Sequence, residues 1–283
     1  MKNRLLALTI LFSMLAYAGA AAVPPAVETI KFESKLVGAV LPYNVVLPPD
    51  YSLPTARNLR FPVLYLLHGL TGHYGDWVSK SKLTDYAARH RIIIVTPEGN
   101  NGWYTDSPVK ESEKYESYIM QELIPDVERR FRTLSSREGR SIAGLSMGGY
   151  GALKLGMKHP DKFVFAGSMS GALGAAAWTD AVINTEPAKS SIMQAFGPAD
   201  HAARPANDLF KMAAAITPER IAALPFLYVD CGNEDFLIQM NRSFVEALVK
   251  QKIPHEYRQL PGKHDWPYWD KQVCESVVEI YVC

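Results

Sequence analysis

The sequence predicts an α/β protein: a mostly parallel central sheet with helices on both faces. Three observations carry that expectation. The runs FPVLYLLHG (61–69), RIIIVTP (91–97) and PFLYVDCG (225–232) are apolar almost without interruption, as strands buried on both faces require. They alternate with longer stretches of helical periodicity, which is the pattern of strand–helix–strand crossovers. The third is RSIAGLSMGGYG (140–151), where a short apolar run meets a glycine-rich turn and then a helical pattern. A closed barrel and an open doubly wound sheet both fit the alternation; the glycine-rich turn favours the open sheet.

In chain order, residues 31–51 alternate apolar and polar and end at prolines, which reads as one or two early antiparallel strands. The strand at 61–69 is followed by a helical stretch near 80–90, then the strand at 91–97. Helical periodicity covers 115–131. RSIAG (140–144) is a strand, 148–158 a helix, and FVFAGSMSG (163–171) a strand. Residues 172–220 carry short amphipathic pieces and are expected to form a helical insertion over the sheet. After the strand at 225–232, DFLIQMNRSFVEALVKQK (235–252) is an amphipathic helix. HEYRQL (255–260) is the last strand and PYWDKQVCESVVEIYV (267–282) the last helix.

Composition bounds the function. Of 283 residues, 48% are apolar and 21% charged, enough for a sizeable core and too apolar for disorder. The net charge of +1 gives no electrostatic basis for binding nucleic acid or an anionic membrane. Arg129, Arg130 and Arg132 are expected on a solvated helix face. The start is distinctive: MKNR is followed by the apolar run LLALTILFSMLAYA (5–18) and small residues that satisfy A-x-A. This is the pattern of a signal peptide over residues 1–22, too short to span a bilayer, with a single domain from 23 to 283 exported to the periplasm or medium. Export permits disulfides, but Cys231, Cys274 and Cys283 are an odd set. Cys274 and Cys283 lie nine positions apart on one helical pattern, about 13 Å of rise, so all three are expected to be structural thiols. There is no H-E-x-x-H and no C-x-x-C, and no metal or other cofactor is expected.

Gly144-Leu145-Ser146-Met147-Gly148 fits G-x-S-x-G between a strand and a helix, the setting of a nucleophile elbow. A serine hydroxyl needs a base to take its proton, usually a histidine oriented by a carboxylate. In this architecture the order is serine, acid, histidine. Of His159, His201, His255 and His264 after the serine, only His264 lies in a loop following the last strand, at the sheet edge where Ser146 emerges. For the acid, Asp230, Glu234 and Asp235 all follow the preceding strand, and spacing does not choose among them. The backbone N–H groups of Met147 and of Leu70, just after His68-Gly69, are the candidate donors to a developing oxyanion. His68 itself is read as a residue that packs and orients this loop.

These pieces resemble one family. YNVVLPPDY, VLYLLHGLTGHYGDW, VTPEGNNGWYTDS, YIMQELIPDVERRF, IAGLSMGGYGAL, DCGNEDFL and GKHDWPYW occur in order from about residue 35 to the C-terminus. They are similar to the esterase D-type α/β-hydrolases. That group includes S-formylglutathione hydrolases, feruloyl and acetylxylan esterases, tributyrin esterases and mycolyltransferases. The resemblance implies the α/β-hydrolase fold and a serine esterase using Ser146, Asp235 and His264, with Leu70 and Met147 as oxyanion donors. It also implies that Trp103 and Tyr104 lie in a substrate-binding loop. The expected substrate is a short-chain acyl ester or a carbohydrate-linked ester. Acyl transfer to an alcohol or sugar, thioester hydrolysis of the S-formylglutathione type, and a non-catalytic binding role are the competing readings. An export signal speaks against the thioester, and His68 stands where mycolyltransferases usually carry Asp.

Overall fold

The computed structural model describes residues 24–179 and 181–282, with side chains described as far as Glu275. The expected signal peptide and Cys283 therefore lie outside the described residues. Ten strands are present among those residues: β1 (Ala26–Ile30), β2 (Glu33–Ser34), β3 (Ala39–Val40), β4 (Tyr43–Leu47), β5 (Val63–Leu67), β6 (Ile93–Pro97), β7 (Arg140–Leu145), β8 (Phe165–Met169), β9 (Phe226–Gly232) and β10 (His255–Leu260). Eight of them form one sheet in the order β1-β4-β6-β5-β7-β8-β9-β10, and β2 and β3 pair separately. β1 and β4 enter antiparallel, and every pairing from β6 through β10 is parallel.

Alternation along β5 shows why the sheet needs cover on both sides. Val63, Tyr65 and Leu67 join the larger apolar core; Leu64 and Leu66 join the smaller one on the opposite face. All five are fully buried, and each aliphatic one contributes roughly 1.5–3 kcal/mol. The smaller core is closed by α1 (Asp76–Lys80), α2 (Leu83–His90) and the last helix. The larger is closed by α3 (Tyr115–Ser117), α4 (Ile124–Arg130), α5 (Met147–Lys158) and helices between β8 and β10. Between β8 and β9 the chain forms α6 (Ala188–Phe196), α7 (Arg204–Asn207), α8 (Leu209–Ala214) and α9 (Pro218–Ala223). α10 (Ile238–Lys250) and α11 (Trp266–Val282) complete the fold. None of the described helices is long and apolar enough to cross a membrane.

The structure corrects three local expectations. The helical stretch at 115–131 is interrupted by a π-helical turn over Tyr118–Leu123. Pro125 has no N–H for the Gln121 carbonyl and its ring needs room there, so the preceding turn widens. Arg132 is not on a solvated helix face. It lies beyond the end of α4, donates to the carbonyls of Tyr51 and Ala56, and sits 4.1 Å over the Tyr51 ring. The helix expected from 235 starts at Ile238. Asp235 Oδ1 accepts the Leu237 N–H at 2.8 Å, and that turn holds the first residues off the helix axis.

Candidate active site

Ser146 occupies a strained backbone position, with φ 53° and ψ −114°. Three backbone bonds fix it there: its N–H donates to Met169 O at 3.0 Å, and its carbonyl accepts from Tyr150 and Ala172 at 3.1 Å each. Such a conformation persists only where the surroundings over-determine it. Glycines make the turn sterically possible. A Cβ on Gly144 would lie 2.5 Å from the Gly148 carbonyl carbon, and one on Gly148 would lie 2.5 Å from Leu67 O and 2.7 Å from His68 O.

The loops after β9 and β10 converge on this serine. Their pairing continues past the strands: Asn233 N–H donates to Leu260 O and Glu234 N–H to Gly262 O, at 2.8 and 2.9 Å. At Gly232 a side chain would strike Gly262 O at 2.3 Å, so the loops cross in contact. The crossing brings Asp235 Oδ2 to 2.8 Å from His264 Nδ1, and His264 Nε2 to 3.0 Å from Ser146 Oγ. Asp235 is buried, which raises its carboxyl. The hydrogen bond and charge of His264 and the Leu237 N–H outweigh this, and the carboxyl is held below its ordinary range. The imidazole is packed between Phe236, 4.6 Å away centroid to centroid, and Trp269, edge-on at 4.9 Å.

The other acid candidates lie elsewhere. Glu234 is exposed and sits 3.6 Å from Lys263. Asp230 is buried in the sheet and accepts from the Tyr268 phenol at 2.8 Å. Burial pushes its carboxyl up to about 8, which the Tyr268 bond only partly offsets. Such a group stays protonated in the fold while the unfolded chain ionises above about 4. The fold therefore loses stability as pH rises from about 4, and loses no more above about 8. Asp230→Asn copies the protonated acid and keeps an acceptor for Tyr268. Its thermal midpoint should match the wild type at pH 4 and exceed it increasingly towards pH 8; an offset independent of pH would contradict the assignment.

A cavity of about 230 Å³ opens beside Ser146. One wall is the turn Gly69–Gly72 with Asp76 and Lys80; the other is His264 with Trp266 and Trp269. Gly69 packs against the elbow, where a Cβ would stand 2.6 Å from Leu145 Cδ1 and 3.4 Å from Ser146 Cβ. In the turn, the Gly72 N–H bonds Gly69 O, and the Leu70 N–H is not part of that bond. Met147 opens α5, so its N–H is one of the helix's unpaired initial donors. Lys80 Nζ lies 2.9 Å from Asp76 Oδ1 and 5.2 Å over the Trp266 ring.

His68 links the loops after β5 and β6: Nδ1 donates to Gly69 O at 2.8 Å and Nε2 accepts the Gly99 N–H at 2.9 Å. Trp103 and Tyr104 do not wall the cavity. Both are buried; Trp103 Nε1 donates to Ser191 Oγ and the Tyr104 phenol to His68 O. The aromatic wall comes instead from Trp266, expected in the loop after the last strand, and Trp269, expected in the last helix. Their spacing of three, directly after the histidine, was the available signal. Cys231 and Cys274 are free thiols, and no cluster of three metal-ligating side chains occurs among the described residues.

The family described as "Putative esterase" matches residues 34–280. An acetyl esterase of Caldicellulosiruptor saccharolyticus is 30% identical over 260 residues, covering 89% of this chain and 96% of its own. The fluorophosphonate-binding serine hydrolase F of Staphylococcus aureus superposes with a TM-score of 0.80 at 25% identity, over 91% of this chain and 98% of its own. A ferulic acid esterase gives 0.79 at 28% identity, over 93% and 100%. The chain belongs to this esterase family and is a serine carboxylic ester hydrolase of the α/β-hydrolase fold.

Proposed function

We propose that Ser146, His264 and Asp235 act as a catalytic triad on short-chain acyl esters, including carbohydrate-linked ones, in an exported protein. The observation that carries this is the unbroken chain of hydrogen bonds from Asp235 through His264 to a strained serine at the mouth of a cavity. Ser146 Oγ bonds to the ester carbonyl carbon as its proton passes to His264 Nε2, and the carbonyl electrons move onto oxygen. The N–H groups of Leu70 and Met147 receive that oxyanion. Its collapse expels the alcohol, which takes the proton from His264. Water then repeats the two steps on the acyl-enzyme and releases the acid. Asp235 holds the imidazole with Nδ1–H towards itself, leaving Nε2 free to accept.

Two features support the substrate class. The cavity is small, and it sets the indoles of Trp266 and Trp269 opposite the polar Asp76, Lys80 and Thr71, which suits a compact acyl group on a hydroxyl-rich alcohol. A relative with nearly full-length coverage is named an acetyl esterase. The leader-like run at 5–18 supports export. The test is a nitrophenyl ester series from two to eight acyl carbons, with acetylated sugars alongside. It uses protein recovered from the periplasm or medium, whose intact mass should lack the leader. kcat/KM should fall at least tenfold from acetate to octanoate. A flat or rising series would refute the short-chain reading.

A further inference from the structure

Lys154 stands two turns along α5 from Ser146, and its ammonium is wholly enclosed. Its three protons are all engaged: Tyr104 O at 2.6 Å, Thr105 Oγ1 at 2.7 Å and Glu116 Oε2 at 2.9 Å. Glu116 also takes Lys158 at 2.9 Å and His159 at 3.0 Å. Burial pulls the Lys154 ammonium down to about 8 even with Glu116 pulling it up. Enclosing an ion pair is costly, and an apolar side chain of the same volume often serves stability as well or better. What the cation holds is therefore informative.

It holds a strained loop. Trp103 and Tyr104 have φ of 53° and 50°, a region that bulky residues avoid. Tyr104 reaches past two glycines, Gly99 and Gly151, where a Cβ would come within 2.5 Å of its ring. Its phenol donates to His68 O at 3.0 Å. The same carbonyl abuts Gly148 of the elbow helix. His68 directly precedes the Gly69–Gly72 turn, so its carbonyl is gripped from two sides at the root of the segment that presents Leu70. Lys154 lies on the helix that Ser146 caps, and the loop ties that helix to His68, at the root of the Gly69–Gly72 wall of the cavity.

We propose that Lys154 is a positioning residue: through Tyr104 and the His68 carbonyl it fixes the Leu70 N–H relative to Ser146. This rests on the reading of Leu70 as an oxyanion donor. The test compares Lys154→Met and Tyr104→Phe with wild type, counting competent sites by end-point titration with a fluorophosphonate. kcat per titrated site should fall about 10- to 100-fold in Lys154→Met, since small misplacements of a working group cost up to about 100-fold. KM should stay within about twofold. Affinity for a trifluoromethyl ketone, whose serine adduct carries the oxyanion, should fall in proportion to kcat. Tyr104→Phe should move all three readouts the same way, and it decides the matter if Lys154→Met does not fold. Fewer titratable sites and a lower melting point, with wild-type kcat per site and inhibitor affinity, would overturn the proposal. Leu70→Pro, which deletes the N–H, separates the two layers. If it leaves kcat intact, the oxyanion reading fails and the proposal with it. If it lowers kcat while the other two variants do not, only the positioning role fails.

Discussion

Ser146→Ala should reduce kcat on nitrophenyl acetate by about a million-fold, the scale on which removing a triad serine acts. The variant keeps everything except the attacking oxygen. The three backbone bonds that hold residue 146 use its N–H and carbonyl, not its side chain, and alanine meets the same strain at φ 53° as serine does. Its melting point should therefore stay within a few degrees of wild type. The residual rate over uncatalysed hydrolysis reports what oxyanion stabilisation and binding still supply. Activity within tenfold of wild type in a folded Ser146→Ala protein would remove Ser146 from the mechanism.

Asp235→Asn should cost about 10⁴ in kcat with little change in stability. The carboxylate accepts from His264 Nδ1 at 2.8 Å, which leaves Nε2 as the acceptor facing Ser146 Oγ at 3.0 Å. An asparagine can turn its amide N–H₂ towards Nδ1, and the ring proton then moves to Nε2. In that tautomer the imidazole cannot take the serine proton. The oxygen that accepts the Leu237 N–H is retained in geometry, so the turn survives. Glu234→Gln, at the neighbouring exposed position, should change kcat less than twofold. Equal losses in both variants would return the choice of acid to the open state in which sequence spacing leaves it.

The elbow was legible because its cause is local. G-x-S-x-G between an apolar run and a helical pattern states a close approach of helix and strand, and the contacts at Gly144 and Gly148 are that approach. His264 was legible from order along the chain, since a loop after the last parallel strand opens at the same sheet edge. Spacing did not give the acid, which only the family resemblance named: Asp230, Glu234 and Asp235 lie within six positions, and the crossing of two loops at Gly232 and Gly262 decides which one faces the imidazole. Distant packing was hidden for the same reason. Arg132 reads as part of a basic helix face until Tyr51 and the Ala56 carbonyl come to meet it. Trp103 and Tyr104 read, by resemblance, as part of a substrate-binding loop until Ser191 and His68 O take their polar atoms. Lys154, the one cationic position amid YGALKLGM, was a signal that pattern reading passed over.

The order of the sheet has a bearing on biosynthesis. A ribosome delivers β1 to β8 before β9 and β10, and with them the whole strained turn and its hydroxyl. The acid arrives only after β9, and the imidazole after β10, at the far edge of the sheet. About a third of the chain, from the end of β8 to His264, is thus made after Ser146 and the strands that flank it. On the proposed triad, esterase activity waits for the loop after β10, whose pairing joins Asn233 to Leu260 and Glu234 to Gly262.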